Sequence, residues 1–244
     1  MSHYIAITEA ERAEMLQSIG ISDVAELFAG VPESLRFPHV ELPAPLSEIE
    51  LRRILTALSN KNANASTHSI FLGAGAYNHF VPSAVDQILR RSEFYTAYTP
   101  YQPEISQGTL QAIFEYQSLI CRLTGMEVAN ASHYDGGTAL AEAALMAVAS
   151  SRNRRKVVVA PSVGPQYRAV LRTYTQGSDL QIVGDERPDA TLDDVLALVD
   201  NTTAALVVQN PDFFGTLHDL KPLAERVHAA GALLVAHVDP IALG

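Results

Sequence analysis

The sequence predicts an α/β fold with a mostly parallel sheet covered on both faces. Two observations carry this. From residue 108 onward, short β-branched runs alternate with longer helical segments, the pattern of right-handed crossovers between parallel strands. The chain also has 244 residues of which 48% are hydrophobic, enough to build a core without disulfides or metals.

The first sixty residues read as a helical arm. Thr8 with Glu11, and Ser47 with Glu50 ahead of IELRRILTALS, have capping-box spacing. Between them, Pro32, Pro38, Pro43 and Pro45 impose extended or looped backbone. Residues 60–107 are rich in Asn, Ser, Gly, Pro and Tyr, with one short helix expected near Pro82. Irregular stretches of this length inside a compact chain are functional or disordered, and the aromatic content here favours order.

A helix is expected from about Gly108 to Thr124. Leu110, Ile113, Phe114, Cys121 and Leu123 lie on one face, Ser106 is its cap, and Gly125 is its stop. A short strand near Glu127–Ala131 and an Ala-rich helix from about Gly137 to Ser150 follow. Next come the strand KVVVA, a helix opening at Pro165, and the strand LQIV. A helix over about Leu192–Val199 leads to AALVVQ, and LKPLAERVHAA, closed by Gly231, leads to ALLVAHV. The chain stops at Gly244 directly after a strand, which reads as a cut inside a domain.

The net charge of −10 argues against nucleic acid, whose phosphates are held by Lys and Arg. Cys121 is the single cysteine, so no internal disulfide forms and a cytoplasmic setting is expected. The polar, acidic start is unlike a signal peptide, and no apolar run approaches the roughly 20 residues of a membrane span.

Several common sites are missing. Gly73 and Gly75 begin a dinucleotide-binding spacing, but Asn78 stands where the third glycine belongs. Lys61, Lys156 and Lys221 follow Asn, Arg and Leu, so there is no phosphate-binding GK[ST] loop. G-x-S-x-G and H-E-x-x-H are also absent. His237 and Asp239 alternate at a strand end where a metal could be held, but a lone pair of this kind reads as structural, and no metal site is expected.

The segment YTAYTPYQPEISQGTLQAIFEYQSLICRLTGMEVANASHYDGGTALAEA, residues 95–142, resembles glycine decarboxylase, the P protein of the glycine cleavage system. The likeness is to its A-type half, above all at Tyr98-Thr99-Pro100-Tyr101-Gln102-Pro103-Glu104-Ile105-Ser106-Gln107-Gly108. FLGAGAYNHFVPSAV is similar to the same family. The resemblance runs over nearly the whole chain and is densest from 66 to 145.

It implies an aminotransferase-like fold of type I, shared by enzymes that use pyridoxal phosphate (PLP). Residues 1–60 would be the N-terminal arm and 61–244 an incomplete large domain. It also implies that this is the subunit without the PLP lysine. The partners would then be a PLP-carrying B-type subunit, the lipoylated H protein and glycine, with no nucleic acid and no membrane. The family decarboxylates glycine and passes the aminomethyl group to the lipoyl arm.

The residues agree with that assignment. The chain has three lysines, in the arm, at a strand start and at a helix start, and none lies on a turn beyond the last strand. Near the end of ALLVAHVDP, where the fold carries an Asp for the PLP ring, His237 stands with Asp239 two residues on. Two other readings stay open: a self-sufficient PLP enzyme whose lysine lies beyond Gly244, and a non-enzymatic scaffold on a degenerate PLP fold.

Tyr98, Thr99, Tyr101, Gln102 and Glu104 are the candidate substrate or interface residues, since a Tyr/Pro loop is stiff and can exclude water. Asn78 and His79, after a glycine-rich turn, are candidates of the same kind. His68 and His133 are lesser ones. Gly136, Gly137 and Thr138 have the backbone form of an anion cradle at a helix N-terminus, but Asp135 serves equally as a helix cap. Arg152, Arg154, Arg155 and Lys156 read as the solvated end of a helix, beside its C-terminal dipole.

Overall fold

A computed structural model describes residues 6–36, 38–96, 98–151 and 153–243. They form two compact units, Met1–Ser69 and Ile70–Gly244.

The first unit contains helices α1 (Glu9–Ser18) and α2 (Glu48–Ser59), with two short 3-10 turns between them. Both helices start with the expected capping box. The Thr8 hydroxyl accepts from the Glu11 N–H while the Glu11 carboxylate accepts from the Thr8 N–H, and Ser47 and Glu50 do the same. These hydrogen bonds hold the carboxyl groups of Glu11 and Glu50 below their usual range. Neither helix has a buried residue.

The second unit opens with α3 (Ser83–Leu89), α4 (Ser92–Tyr95) and the long α5 (Pro103–Thr124). The short helix expected near Pro82 is α3; α4 was not expected. Helix α5 starts five residues earlier than expected because Pro103 occupies its first turn with φ already set for a helix. Ser106 therefore lies inside the helix and is not its cap. Gly125 ends it in the left-handed conformation, φ 72°, with its N–H on the Cys121 carbonyl. The half-buried stripe of α5 includes Leu110, Ile113 and Cys121, whereas Phe114 and Leu123 are exposed.

No strand forms over 127–131 among the described residues. Val128 stands in solvent, and the Ala129 carbonyl accepts from the Gln117 side chain at 2.6 Å instead of joining a ladder.

The remaining elements build the sheet. They are α6 (Gly136–Ser150), β1 (Lys156–Val159), α7 (Pro165–Thr175), β2 (Gln181–Val183), α8 (Leu192–Leu196), β3 (Thr203–Asn210), α9 (Leu220–Ala229) and β4 (Leu233–Val238). The strand order is β2-β1-β3-β4 and every pairing is parallel. Val157, Val158 and Val159 of β1 and Ala205, Leu206 and Val207 of β3 are fully buried, because these two strands have neighbours on both sides and helices on both faces. The edge strands β2 and β4 are only partly covered. Helix α6 packs Leu140, Ala141, Ala144 and Ala147 into the core on a helical period, its small side chains allowing close approach to the sheet.

The basic cluster is not simply solvated. Arg152 lies outside the described residues and Arg155 is exposed. Arg154 donates to the carbonyls of Thr203 (2.9 Å) and Ala230 (3.1 Å), tying the start of β3 to the end of α9. Lys156 bonds the Leu198 carbonyl and the Asp200 carboxylate, an arrangement that holds the Asp200 carboxyl far below its usual range.

Candidate functional site

The chain leaves β1 toward β2 on one side and reaches β3 and β4 on the other, so the order reverses between β1 and β3. In open parallel sheets, ligands sit outside the carboxyl ends of the strands at such a reversal. A cleft of about 260 Å³ opens there, lined chiefly by Tyr77, His79, Tyr167, Gln209, His237 and Asp239, with Gly136 at the start of α6.

Each side chain is placed by its element. Gln209 and His237 are register partners on β3 and β4, so they stand side by side on one face of the sheet. Gln209 is buried, and its Oε1 accepts the Gly164 N–H at the head of α7 at 2.8 Å. A backbone N–H can only be accepted by the amide oxygen, which settles the orientation of the amide.

The His237 ring packs on Tyr167 of α7, centroids 4.3 Å apart and planes tilted by 52°. Burial holds the His237 pKa below its usual value, so the imidazole is neutral near pH 7. A Cβ on Gly136 would lie 3.0 Å from the His237 Cε1, so any larger residue there would have to displace the ring.

Asp239 follows β4. Its Oδ1 accepts the Ile241 N–H at 2.9 Å, and its Oδ2 lies 3.8 Å from Nε2 of His79. His79 comes from the segment after the Gly73–Gly75 turn, where Gly73, Ala74 and Gly75 all have positive φ.

Beside the cleft lies a more apolar hollow of about 360 Å³, lined by Asn78 together with Leu217 and Ile241. The loop beyond β3 is held by Asp212. Its buried carboxylate accepts the N–H groups of Phe214 and Thr216 at 2.9 Å and faces Nε2 of His218 at 2.9 Å.

The structure brings His79 and Gly136 to the cleft and Asn78 to its neighbour. Tyr98, Thr99, Tyr101, Gln102 and Glu104 do not line it. Tyr98 and Tyr101 are 85% and 80% exposed, and Gln102 and Glu104 form the entry to α5. His68 and His133 sit elsewhere, bonded to Thr67 and Asn130.

Gly136, Gly137 and Thr138 form the first turn of α6. There the Asp135 carboxylate accepts the Thr138 N–H at 2.8 Å and the Thr138 hydroxyl bonds back to the Asp135 N–H. Sequence reasoning missed Tyr167 and Gln209. The reversal of strand order would have pointed to Gln209, as the residue ending the strand beside it.

The residues present do not fit PLP. A lysine amine is needed to hold it, and none lines the cleft. Lys156, at the start of β1, is tied to Asp200, Lys221 opens α9, and Lys61 is not among the described lining residues. A carboxylate, Asp135, caps the helix end where a phosphate would dock, and the His237 ring covers Gly136.

Parallel strand order, crossover helices and a crevice at the reversal are those of a doubly wound α/β domain, the class to which the large domain of the type I fold of PLP-dependent enzymes belongs. A solved glycine decarboxylase (P-protein) of the glycine cleavage system, in inhibitor-bound form, superposes with a TM-score of 0.82. It is 45% identical and is matched over 98% of this chain and 54% of its own. The family model for the glycine cleavage system P-protein matches residues 2–244, and the chain belongs to that family.

The chain is 57% identical over 240 residues to the probable glycine dehydrogenase (decarboxylating) subunit 1 of Thermomicrobium roseum, covering 97% of this chain and 54% of that one. It is 50% identical over 244 residues to the protein of the same description in Carboxydothermus hydrogenoformans, covering 99% and 55%. The chain thus spans about half the length of the curated relatives it matches. No helix among the described residues is long and apolar enough to cross a membrane.

Proposed function

We propose that this chain belongs to subunit 1 of a heteromeric, cytoplasmic glycine dehydrogenase (decarboxylating). In this reading PLP is held by a B-type partner subunit, glycine is decarboxylated there, and the aminomethyl group passes to the lipoyl arm of H protein. One observation carries the reading: none of the three lysines, Lys61, Lys156 and Lys221, is among the described residues that line the cleft in which the fold would hold the cofactor. The relatives' description as subunit 1 supports it.

Residues 1–60 serve as an arm and 61–244 as the first part of the large domain. Tyr98, Thr99, Tyr101, Gln102 and Glu104 face the partner, where the prolines at 100 and 103 lower the entropy lost on ordering. Asn78 and His79 take part in the same surface. The high exposure of Tyr98 and Tyr101 supports this placement, since rings left in solvent are available for burial against another chain.

The test is to mix the full-length protein with its B-type partner, H protein and glycine, and to reduce the complex with borohydride. Release of carbon dioxide should need both subunits, with the reduced pyridoxyl adduct on the partner. An adduct on Lys61, Lys156 or Lys221 would overturn the reading.

A further inference from the structure

The cleft between β1 and β3 carries hydrogen-bonding groups that the protein leaves unused. Gln209 is 6% exposed, and with its oxygen committed to Gly164 its amide nitrogen has no partner among the described residues. No fully enclosed side-chain nitrogen or oxygen among those residues is unpaired, so this amide nitrogen reaches the open cleft that Gln209 lines. An amide nitrogen that opens onto a cleft without a partner from the protein is a donor available to a bound molecule.

His237 stands next to it with neither ring nitrogen bonded to any of the described residues. The Asp239 Oδ2 faces Nε2 of His79 at 3.8 Å, beyond hydrogen-bond length, and accepts no hydrogen bond from the described residues. No lysine or arginine is among the described residues lining the cleft, and the rings of Tyr77, Tyr167 and His237 form part of its wall.

These groups select a ligand by charge and by pattern. Asp239 is the acidic group of the cleft, and aromatic faces add attraction for a cation. The Gln209 amide and a neutral imidazole suit an uncharged acceptor such as a carbonyl or hydroxyl. A second carboxylate would face Asp239 with no arginine or lysine to offset it. The volume, about 260 Å³, is that of roughly nine water molecules, so a small molecule of up to about ten heavy atoms can enter.

We propose that this cleft is a binding site for a small primary ammonium compound bearing a neutral hydrogen-bond acceptor, with Asp239 holding the ammonium group and Gln209 the acceptor. The presence or absence of this site leaves the assignment of the cofactor to the partner subunit unchanged.

Glycinamide is the probe, titrated into the full-length protein by calorimetry and by ligand-observed NMR. One saturable site is expected. Acetamide, which lacks the charge, and glycine, which adds a carboxylate, should each bind at least about tenfold more weakly, the scale of one hydrogen bond to a charged group. Asp239→Asn keeps an acceptor for the Ile241 N–H and should lower glycinamide affinity by a similar factor without shifting the melting temperature. Acetamide or glycine binding as well as glycinamide, or no saturable glycinamide site, would overturn the proposal. So would full affinity in the folded D239N protein. If D239N does not fold, the comparison of the three ligands on the unaltered protein decides.

Discussion

The two halves of the chain are stabilised differently. Every buried side chain among the described residues falls between Gly137 and Ala232, and none falls between residues 6 and 135. Yet both halves contain well-capped helices. Helices α1, α2 and α6 start with reciprocal capping boxes, but only α6 places residues in the core. Capping sets where a helix begins, while burial determines whether breaking it unfolds anything else. In the first half, apolar side chains such as Ile49, Phe71, Phe80, Ile105 and Phe114 remain in solvent. In the second, β1 and β3 are enclosed on all sides.

The largest expected effect tests this contrast directly. Leu206→Ala at the centre of β3 should cost about 2–5 kcal/mol, because a cavity remains where no neighbour can collapse. Phe114→Ala on α5, where the ring is 67% exposed, should change stability by less than about 0.5 kcal/mol. Denaturant unfolding of the 244-residue chain measures both. Equal costs would mean that the apolar face of α5 is covered.

Gly136→Ala comes next. The added methyl group meets the His237 ring at 3.0 Å, and overpacking of this kind costs about 1–3 kcal/mol. A changed near-ultraviolet signal from Tyr167 should accompany it, and an unchanged spectrum and midpoint would show that the ring moves freely.

The caps sharpen the comparison further. Asp135→Ala removes the acceptor for the Thr138 N–H and should lower global stability by about 1 kcal/mol. Ser47→Ala removes the equivalent bond in α2 but should appear only as faster hydrogen exchange in that helix, with the unfolding midpoint unmoved. A midpoint shift in Ser47→Ala would show that the first unit unfolds together with the second.

The smallest effect is a pH dependence. Burial lowers the His237 pKa in the folded state, so between the unfolded value near 6.5 and the lower folded one the unfolded chain binds more protons. Stability should therefore be complete above the unfolded pKa and fall as the pH drops through and below it. His237→Gln should flatten this part of the profile, measured by melting temperature at several pH values; an unaltered slope would assign it to another group.

How much was legible in the sequence varies by element. The four strands of the second half, the helices between them and the stops at Gly125 and Gly231 all follow from apolar period and turn chemistry. Both capping boxes of the arm were equally plain. The strand expected over 127–131 failed because β-propensity at Glu127–Ala131 has no neighbouring strand to pair with, and the Gln117 amide takes the carbonyl instead. The early start of α5 was missed because the Tyr/Pro run was read as loop throughout, although Pro103 suits a first helical turn. Arg154 was read as solvated, since nothing local shows that the Thr203 and Ala230 carbonyls converge on it.

By itself the sequence determined the fold class, the family and the scarcity of lysines, because periodicity, motif and composition are properties of neighbouring residues and of counts. Only the tertiary structure decided which side chains share the cleft. Gln209, His237, Tyr167, Gly136 and His79 come from five separate stretches of chain, and parallel register and crossover connections, rather than spacing along the chain, bring them within contact.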